Sequence, residues 1–204
     1  DHPCRAALAA LRMRGALAQF NASDIMRNRK PIALATGIAT GQACVGNIGS
    51  QKRFNYTVIG DVVNVSALIE QCCRTVEYDL VVSDGVYQAG RDDLAFLQAG
   101  HVDLKGKTNP EPVFVLVGDS TLRKTDAFQE LVARHGKLIA ALRTRKPQGD
   151  IVRMCQHCEK LAADIEPGLR QFYRALAGRA ADFRAVSSSG PVMFTRNTRI
   201  AGGV

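Results

Sequence analysis

Thr57-Val58-Ile59-Gly60-Asp61-Val62-Val63-Asn64 sets a hydroxyl, a carboxylate and an amide within one short stretch. A threonine hydroxyl can donate or accept a hydrogen bond, and an asparagine amide offers two donors and an acceptor. Asn64 and Leu68 stand four residues apart, so on a helix they share a face, polar amide first and bare hydrocarbon one turn on. Lys105 and Lys107 add positive charge in Leu104-Lys105-Gly106-Lys107. Each has a plainer reading beside the chemical one: Thr57 as a strand threonine, Asn64 as an amide that caps or ties a helix start, Lys105 as a solvated charge at a strand end. Asp61 reads as structural, because a short acceptor at a helix start satisfies free N–H groups; no metal ligand is assigned.

Other chemistry-bearing residues offer less. The glycine-rich stretch 37–53 lacks the Gly-Lys-Ser/Thr of a phosphate-binding loop and the spacing of a dinucleotide fingerprint, which leaves a plain tight hairpin. Cys155-Gln156-His157-Cys158 puts two thiols on one helical face with His157 turned away. Zinc needs about four ligands, and no second pair follows, so packing is the expected role. His2, His101 and His135 receive no chemistry.

Positioning these residues requires regular elements. Residues 3–20 are rich in Ala and Leu at helical spacing, with Pro3 suited to a first turn. Residues 31–50 read as two strands joined at a tight turn around Thr40-Gly41. A strand over 54–59, a turn at Gly60-Asp61 and a helix over 62–74 follow, the helix facing the core with Val62, Val65, Ile69 and Cys72 or Cys73. Strands over 79–83, 96–104 and 113–117 and a short helix over 84–89 complete an α+β sheet with helices on one face.

From Ser120 onward the period is helical throughout. Phe128, Leu131, Val132, His135, Leu138, Ile139 and Leu142 form one stripe; Ile151, Met154, Cys155, Cys158 and Leu161 a second; Leu169, Phe172, Tyr173, Leu176 and Ala180 a third. Residues 1–119 therefore read as one unit, 120–184 as an all-α three-helix extension, and 185–204 as a tail without period, expected to be disordered.

The net charge of +8 is uneven. Residues 1–119 hold 12 Lys/Arg and 12 Asp/Glu; the remaining 15 and 7 place the whole excess after residue 119. Dispersed charge without interleaved aromatics argues against nucleic acid and for a solvated face, with an acidic protein surface or a membrane surface as the competing partner. Six cysteines without scaffold spacing, and nothing resembling a secretory signal, suggest reduced thiols in a cytoplasmic setting. No apolar run reaches the roughly 20 residues of a membrane span. The chain begins with Asp1, which reads as a piece of a longer protein, one whose anchor, if any, lies elsewhere.

Several motifs recur here in a familiar order: Gly37-Ile-Ala-Thr-Gly41, Val45-Gly-Asn-Ile-Gly49, Tyr56-Thr-Val-Ile-Gly-Asp61, Val63-Asn-Val-Ser-Ala67, and Leu104-Lys-Gly106. Over roughly 1–118 the chain resembles the C-terminal half of the catalytic domain of class III adenylate and guanylate cyclases. The resemblance implies a partial ferredoxin-like sheet and a two-metal conversion of ATP or GTP into the 3′,5′-cyclic monophosphate and pyrophosphate. It further implies a site formed between two cyclase domains of a homodimer. Substrate-binding roles fall on Thr57 with the adjoining Val58, at the purine-reading position, and on Lys105, which neutralises the triphosphate. A catalytic role falls on Asn64, which orients the ribose. The two Mg²⁺ or Mn²⁺ ions would be held in the intact parent by aspartates of the other half, and none by this chain, which is then inactive alone. Leu68 departs from the pattern, since the family carries an arginine there for the charge developing on the α-phosphate. A non-catalytic nucleotide-binding or dimerisation module is the alternative that this departure raises.

Overall fold

The computed structural model describes residues 1–50, 53–103, 110–144, 146–179, 186–187 and 190–194. Helix α1, His2–Asn21, carries Pro in its first turn and buries Pro3, Ala7 and Ala10, small residues that let it lie close to its neighbours. After a short 3₁₀ turn at Asp24–Met26, strand β1 covers Thr36–Ile38. Strands β2, Cys44–Ser50, and β3, Arg53–Ile59, pair antiparallel with each other, Gly46 opposite Thr57 and Val45 opposite Val58. Helix α2, Asp61–Val76, then returns the chain to strand β4, Leu80–Ser83, which lies parallel to β1. Helix α3 spans Asp84–Gly90, and strands β5, Ala95–Val102, and β6, Glu111–Gly118, form an antiparallel pair beside β4.

The two strands expected within 31–50 exist, but they do not form a hairpin with each other. β1 joins the main sheet beside β4, whereas β2 belongs to a separate two-stranded sheet with β3. The reason lies at Gly37. A Cβ built there would fall 2.3 Å from the backbone nitrogen of Glu70 and 2.6 Å from the Ser66 carbonyl oxygen, so α2 rests directly on the β1 backbone. That seat ties β1 to the β1–α2–β4 crossover and leaves β2 and β3 to pair outside it.

The α+β class holds, and the helical segment adds to the cover of the sheet. Every residue of β4 is buried, as are all but one of β5, so both faces of the central strands are shielded. Helix α4, Ser120–Arg123, is followed by the three expected helices: α5, Asp126–Arg143, α6, Gln148–Ala162, and α7, Gly168–Gly178. Their stripes are buried in one apolar cluster together with Ile69, Val76, Leu80, Val115 and Leu116. Met154 and Leu161 are only half-buried against that cluster, and Val132 is 36% exposed at the stripe's margin, while Ala141 is buried. Ala180 lies outside the described residues.

Two polar connections fasten the helical segment to the sheet. Arg14 of α1 donates to the Tyr78 hydroxyl at 2.7 Å and to the Val117 carbonyl at 2.6 Å, with the carboxylates of Asp79 and Glu166 each at 3.6 Å. Glu166 sits at the α6–α7 corner, so one guanidinium bridges three parts of the chain. His135 of α5 is buried and donates from Nε2 to the Gln98 carbonyl at 2.8 Å, at an irregularity of β5; its Nδ1 then accepts from the Tyr173 hydroxyl at 3.1 Å. The tail beyond 185 was expected to be disordered; its described part holds two short strands, β7, Val186–Ser187, and β8, Gly190–Phe194. β8 pairs parallel with β5 and so covers backbone groups that an edge strand would leave open.

Candidate functional site

β3 leads into α2 through Gly60, whose own geometry is dictated by crowding. A Cβ there would meet the Gln42 carbonyl oxygen at 2.9 Å and the Ala43 Cα at 3.2 Å, so only glycine lets the turn close against the start of β2. The turn holds β3 and the first turn of α2 in one exposed unit. Gly60 is itself the residue that caps α2, and no side-chain hydrogen bond closes this helix end. Asp61 therefore stands at the first helical position rather than as a cap, where its carboxylate still complements the positive end of the helix.

Thr57, Val58 and Asn64 all face solvent. Neither the Thr57 hydroxyl nor the Asn64 amide hydrogen-bonds to any described residue, so the reading of Asn64 as a helix tie finds no partner. Around them lies apolar surface left in water: Val45 is 59% exposed, Tyr56 76% and Ile59 54%, with Val58 and Val63 also exposed. Contiguous exposed hydrocarbon of this kind is commoner at interaction surfaces than elsewhere on a protein.

One turn along α2 from Asn64, Leu68 is half-buried and packs against the core cluster. It presents no donor and no charge. Arg74 lies near the other end of the helix, exposed on a different face. Of the α2 residues expected to face the core, Ile69 is buried and so are both Cys72 and Cys73, where one of the two was expected; Val76 is buried with them, and Val62 and Val65 are only half-buried. Burial pushes the Cys72 thiol up to about 12 and that of Cys73 to about 11, so both are inert packing groups at neutral pH. Lys105 and Lys107 lie outside the described residues.

Elsewhere the plain readings prevail. Cys155 and Cys158 are buried, with thiols raised to about 12 and about 11 chiefly by desolvation, and His157 is exposed. All six cysteines are unpaired. Among the described residues no group of three or more His, Cys, Asp or Glu could hold a metal ion. His135, which sequence reasoning left without a role, is a structural connector. Burial holds its pKa down to about 4, so it is neutral. Its place in the α5 stripe was the available signal, since a polar residue on a buried face needs partners.

The fold is an α+β domain whose hairpin–helix face leaves apolar side chains in water. Residues 1–118 match the adenylate and guanylate cyclase catalytic domain, more than half of the chain, and the chain belongs to that family. It is 30% identical over 118 residues to adenylate cyclase 1 of Rhizobium meliloti, covering 58% of this chain and 17% of that protein. It is 29% identical over 167 residues to an uncharacterized protein of Mycobacterium tuberculosis, covering 80% of this chain and 24% of that one, so that likeness runs on past the cyclase region. Among solved structures, the guanylyl cyclase Cya2 is 28% identical with a TM-score of 0.47, covering 58% of this chain and 59% of its own. The chain thus spans a quarter or less of the length of these two curated relatives. No helix among the described residues is long and apolar enough to cross a membrane.

Proposed function

We propose that residues 1–119 supply the base- and ribose-facing part of a class III cyclase site, which converts ATP or GTP into the 3′,5′-cyclic monophosphate and pyrophosphate for intracellular signalling. The observation that carries this reading is that the family match includes a face on which Asn64 and Thr57 are exposed and uncommitted. In it, Asn64 orients the ribose by amide hydrogen bonds, Thr57 and Val58 meet the purine edge, and Lys105 offsets phosphate charge. The exposed apolar side chains of β2 and β3 support a second cyclase domain as the body that closes the site, in a homodimer. The two Mg²⁺ or Mn²⁺ ions of such a reaction would be held by aspartates of the other half of the intact domain.

On this reading the isolated chain is inactive, and a cyclase assay with Mn²⁺ or Mg²⁺ is expected to show no cyclic nucleotide above background. Turnover by the chain alone would sink that part of the proposal. Nucleotide contact is tested separately: Asn64→Ala is expected to weaken binding of a non-hydrolysable nucleoside triphosphate analogue by about fivefold to tenfold, the worth of one or two hydrogen bonds. Equal affinity of both chains would place the nucleotide elsewhere.

The packing of Leu68 favours a second reading. A side chain already engaged with the core offers nothing to a developing phosphate charge, which fits a module that binds nucleotide or a partner domain without turnover. Tight analogue binding with no product in the full-length protein would select this module over the enzyme.

A further inference from the structure

Gly46 stands in the middle of β2, directly opposite Thr57. Glycine weakens a strand interior, because it loses the most backbone freedom on folding and packs no side chain, so its presence needs a reason. The chain itself supplies none. The β2–β3 register runs without a shift from Cys44 opposite Ile59 to Ser50 opposite Arg53, which excludes a bulge. Gly46 does not adopt a positive φ. A Cβ built on it meets nothing within 4 Å, in contrast to the crowding at Gly37 and Gly60. What remains is close approach of a body from outside the chain.

The two faces of the hairpin differ in what they offer. Side chains alternate along a strand, and residues directly opposite share a face. One face carries Val45 with Val58 and Asn47 with Tyr56; the other carries Cys44 with Ile59, Gly46 with Thr57 and Ile48 with Asn55. Val45, Val58 and Tyr56 make the first face an exposed apolar one, suited to a protein body. On the second, the missing side chain at Gly46 leaves a gap beside two exposed polar groups, the Thr57 hydroxyl and the Asn55 amide. Neither hydrogen-bonds to a described residue. Val58 can reach a ligand on this second face only through its main chain.

We propose that Gly46 is a positioning residue for the purine base, which stands in this gap as a side chain would, its edge toward the Thr57 hydroxyl. The inference rests on the nucleotide reading of the Thr57–Asn64 face and adds the place of the base. Cys44 and Ile48 follow Gly46 by two residues on either side, so they stand about 7 Å apart along the strand. A flat ring in contact with both needs about 3.5 Å on each side, which that spacing supplies. The facing strand is near enough, at about 5 Å between opposite Cβ positions, for the Thr57 hydroxyl to reach the ring edge. Any side chain at position 46 would fill the same space.

The test uses the full-length protein and a non-hydrolysable ATP or GTP analogue, whichever binds more tightly. Gly46→Val should weaken the analogue about tenfold or more, as overpacking of a close contact implies, with thermal unfolding no lower than in the parent. Inorganic tripolyphosphate, which has no base, should compete equally well in both proteins, and Asn47→Ala on the opposite face should leave analogue affinity within about twofold. If Asn64→Ala weakens the analogue and Gly46→Val does not, the place of the base is overturned while the nucleotide reading stands. Equal loss of tripolyphosphate also overturns it, as does weaker self-association with unchanged analogue affinity, which would assign the gap to a partner's backbone. If no analogue binds, or Asn64→Ala has no effect, the nucleotide reading falls and this inference with it. Should Gly46→Val fail to fold, Gly46→Ala replaces it, since its single methyl meets nothing in the chain; unchanged analogue affinity there overturns the proposal equally.

Discussion

At the scale of the residue, Leu68 and His135 make opposite points. Leu68 is half-buried hydrocarbon where the cyclase pattern has a cation, and a long arginine side chain could lie along the same apolar surface while its head reaches solvent. In the full-length protein Leu68→Arg is expected to raise the rate of cyclic nucleotide formation about a hundredfold, the usual worth of one preorganised donor. An unchanged rate would show that this helix face does not meet the phosphates. His135 is held neutral with its pKa at about 4, against 6.5 in the unfolded chain, because burial penalises the cation. The unfolded state therefore takes up the proton first. Stability is full above pH 6.5 and falls as pH drops from there toward 4, by at most about 3 kcal/mol. Denaturant unfolding at pH 7.5 and pH 5 should show the loss, and His135→Gln should flatten it.

At the scale of the element, the seat of α2 on β1 governs where Asn64 can stand. Gly37→Ala places a methyl group 2.3 Å from the Glu70 backbone nitrogen, and neither backbone can yield without lifting the helix. Overpacking of this kind costs about 1–3 kcal/mol. Thermal unfolding is expected to move down by several degrees, and analogue binding to weaken with it, since the first turn of α2 moves as a body. Gly41→Ala serves as comparison: its added methyl would meet only the Val62 side chain, at 3.2 Å, and should be milder.

At the scale of the whole molecule, the cyclase region and the helical segment share one core. Phe128, Leu131, Leu138, Phe172 and Leu176 are all essentially inaccessible and belong to the same cluster as the sheet. Residues 1–119 expressed without the rest would expose the sheet surface these side chains cover, and this shorter chain is expected to aggregate or to bind a hydrophobic dye strongly. A monomeric 1–119 with cooperative unfolding would show that the sheet stands without its helical cover. The Arg14 connection belongs to this scale as well. It joins α1, β6 and the α6–α7 corner, so its loss should loosen the helical segment before the sheet, visible as faster amide exchange in α6 and α7 in Arg14→Met.

Much of this architecture was legible in the order of residues alone. Helical stripes, the strand runs and the packing role of Cys155 and Cys158 follow from periodicity, because each side chain reports the environment on its own face. The motifs around Thr57 and Asn64 were legible for the same local reason, being short and contiguous. Only the tertiary structure decided which strands pair, since backbone hydrogen-bonding groups are alike in every residue and carry no label for their partners. It alone turned Gly37 from a hairpin glycine into the seat of a helix, gave His135 and Arg14 their partners, and left the β2–β3 hairpin in solvent. Each of those depends on chain segments far apart in sequence arriving at one place, and no local pattern records that arrival.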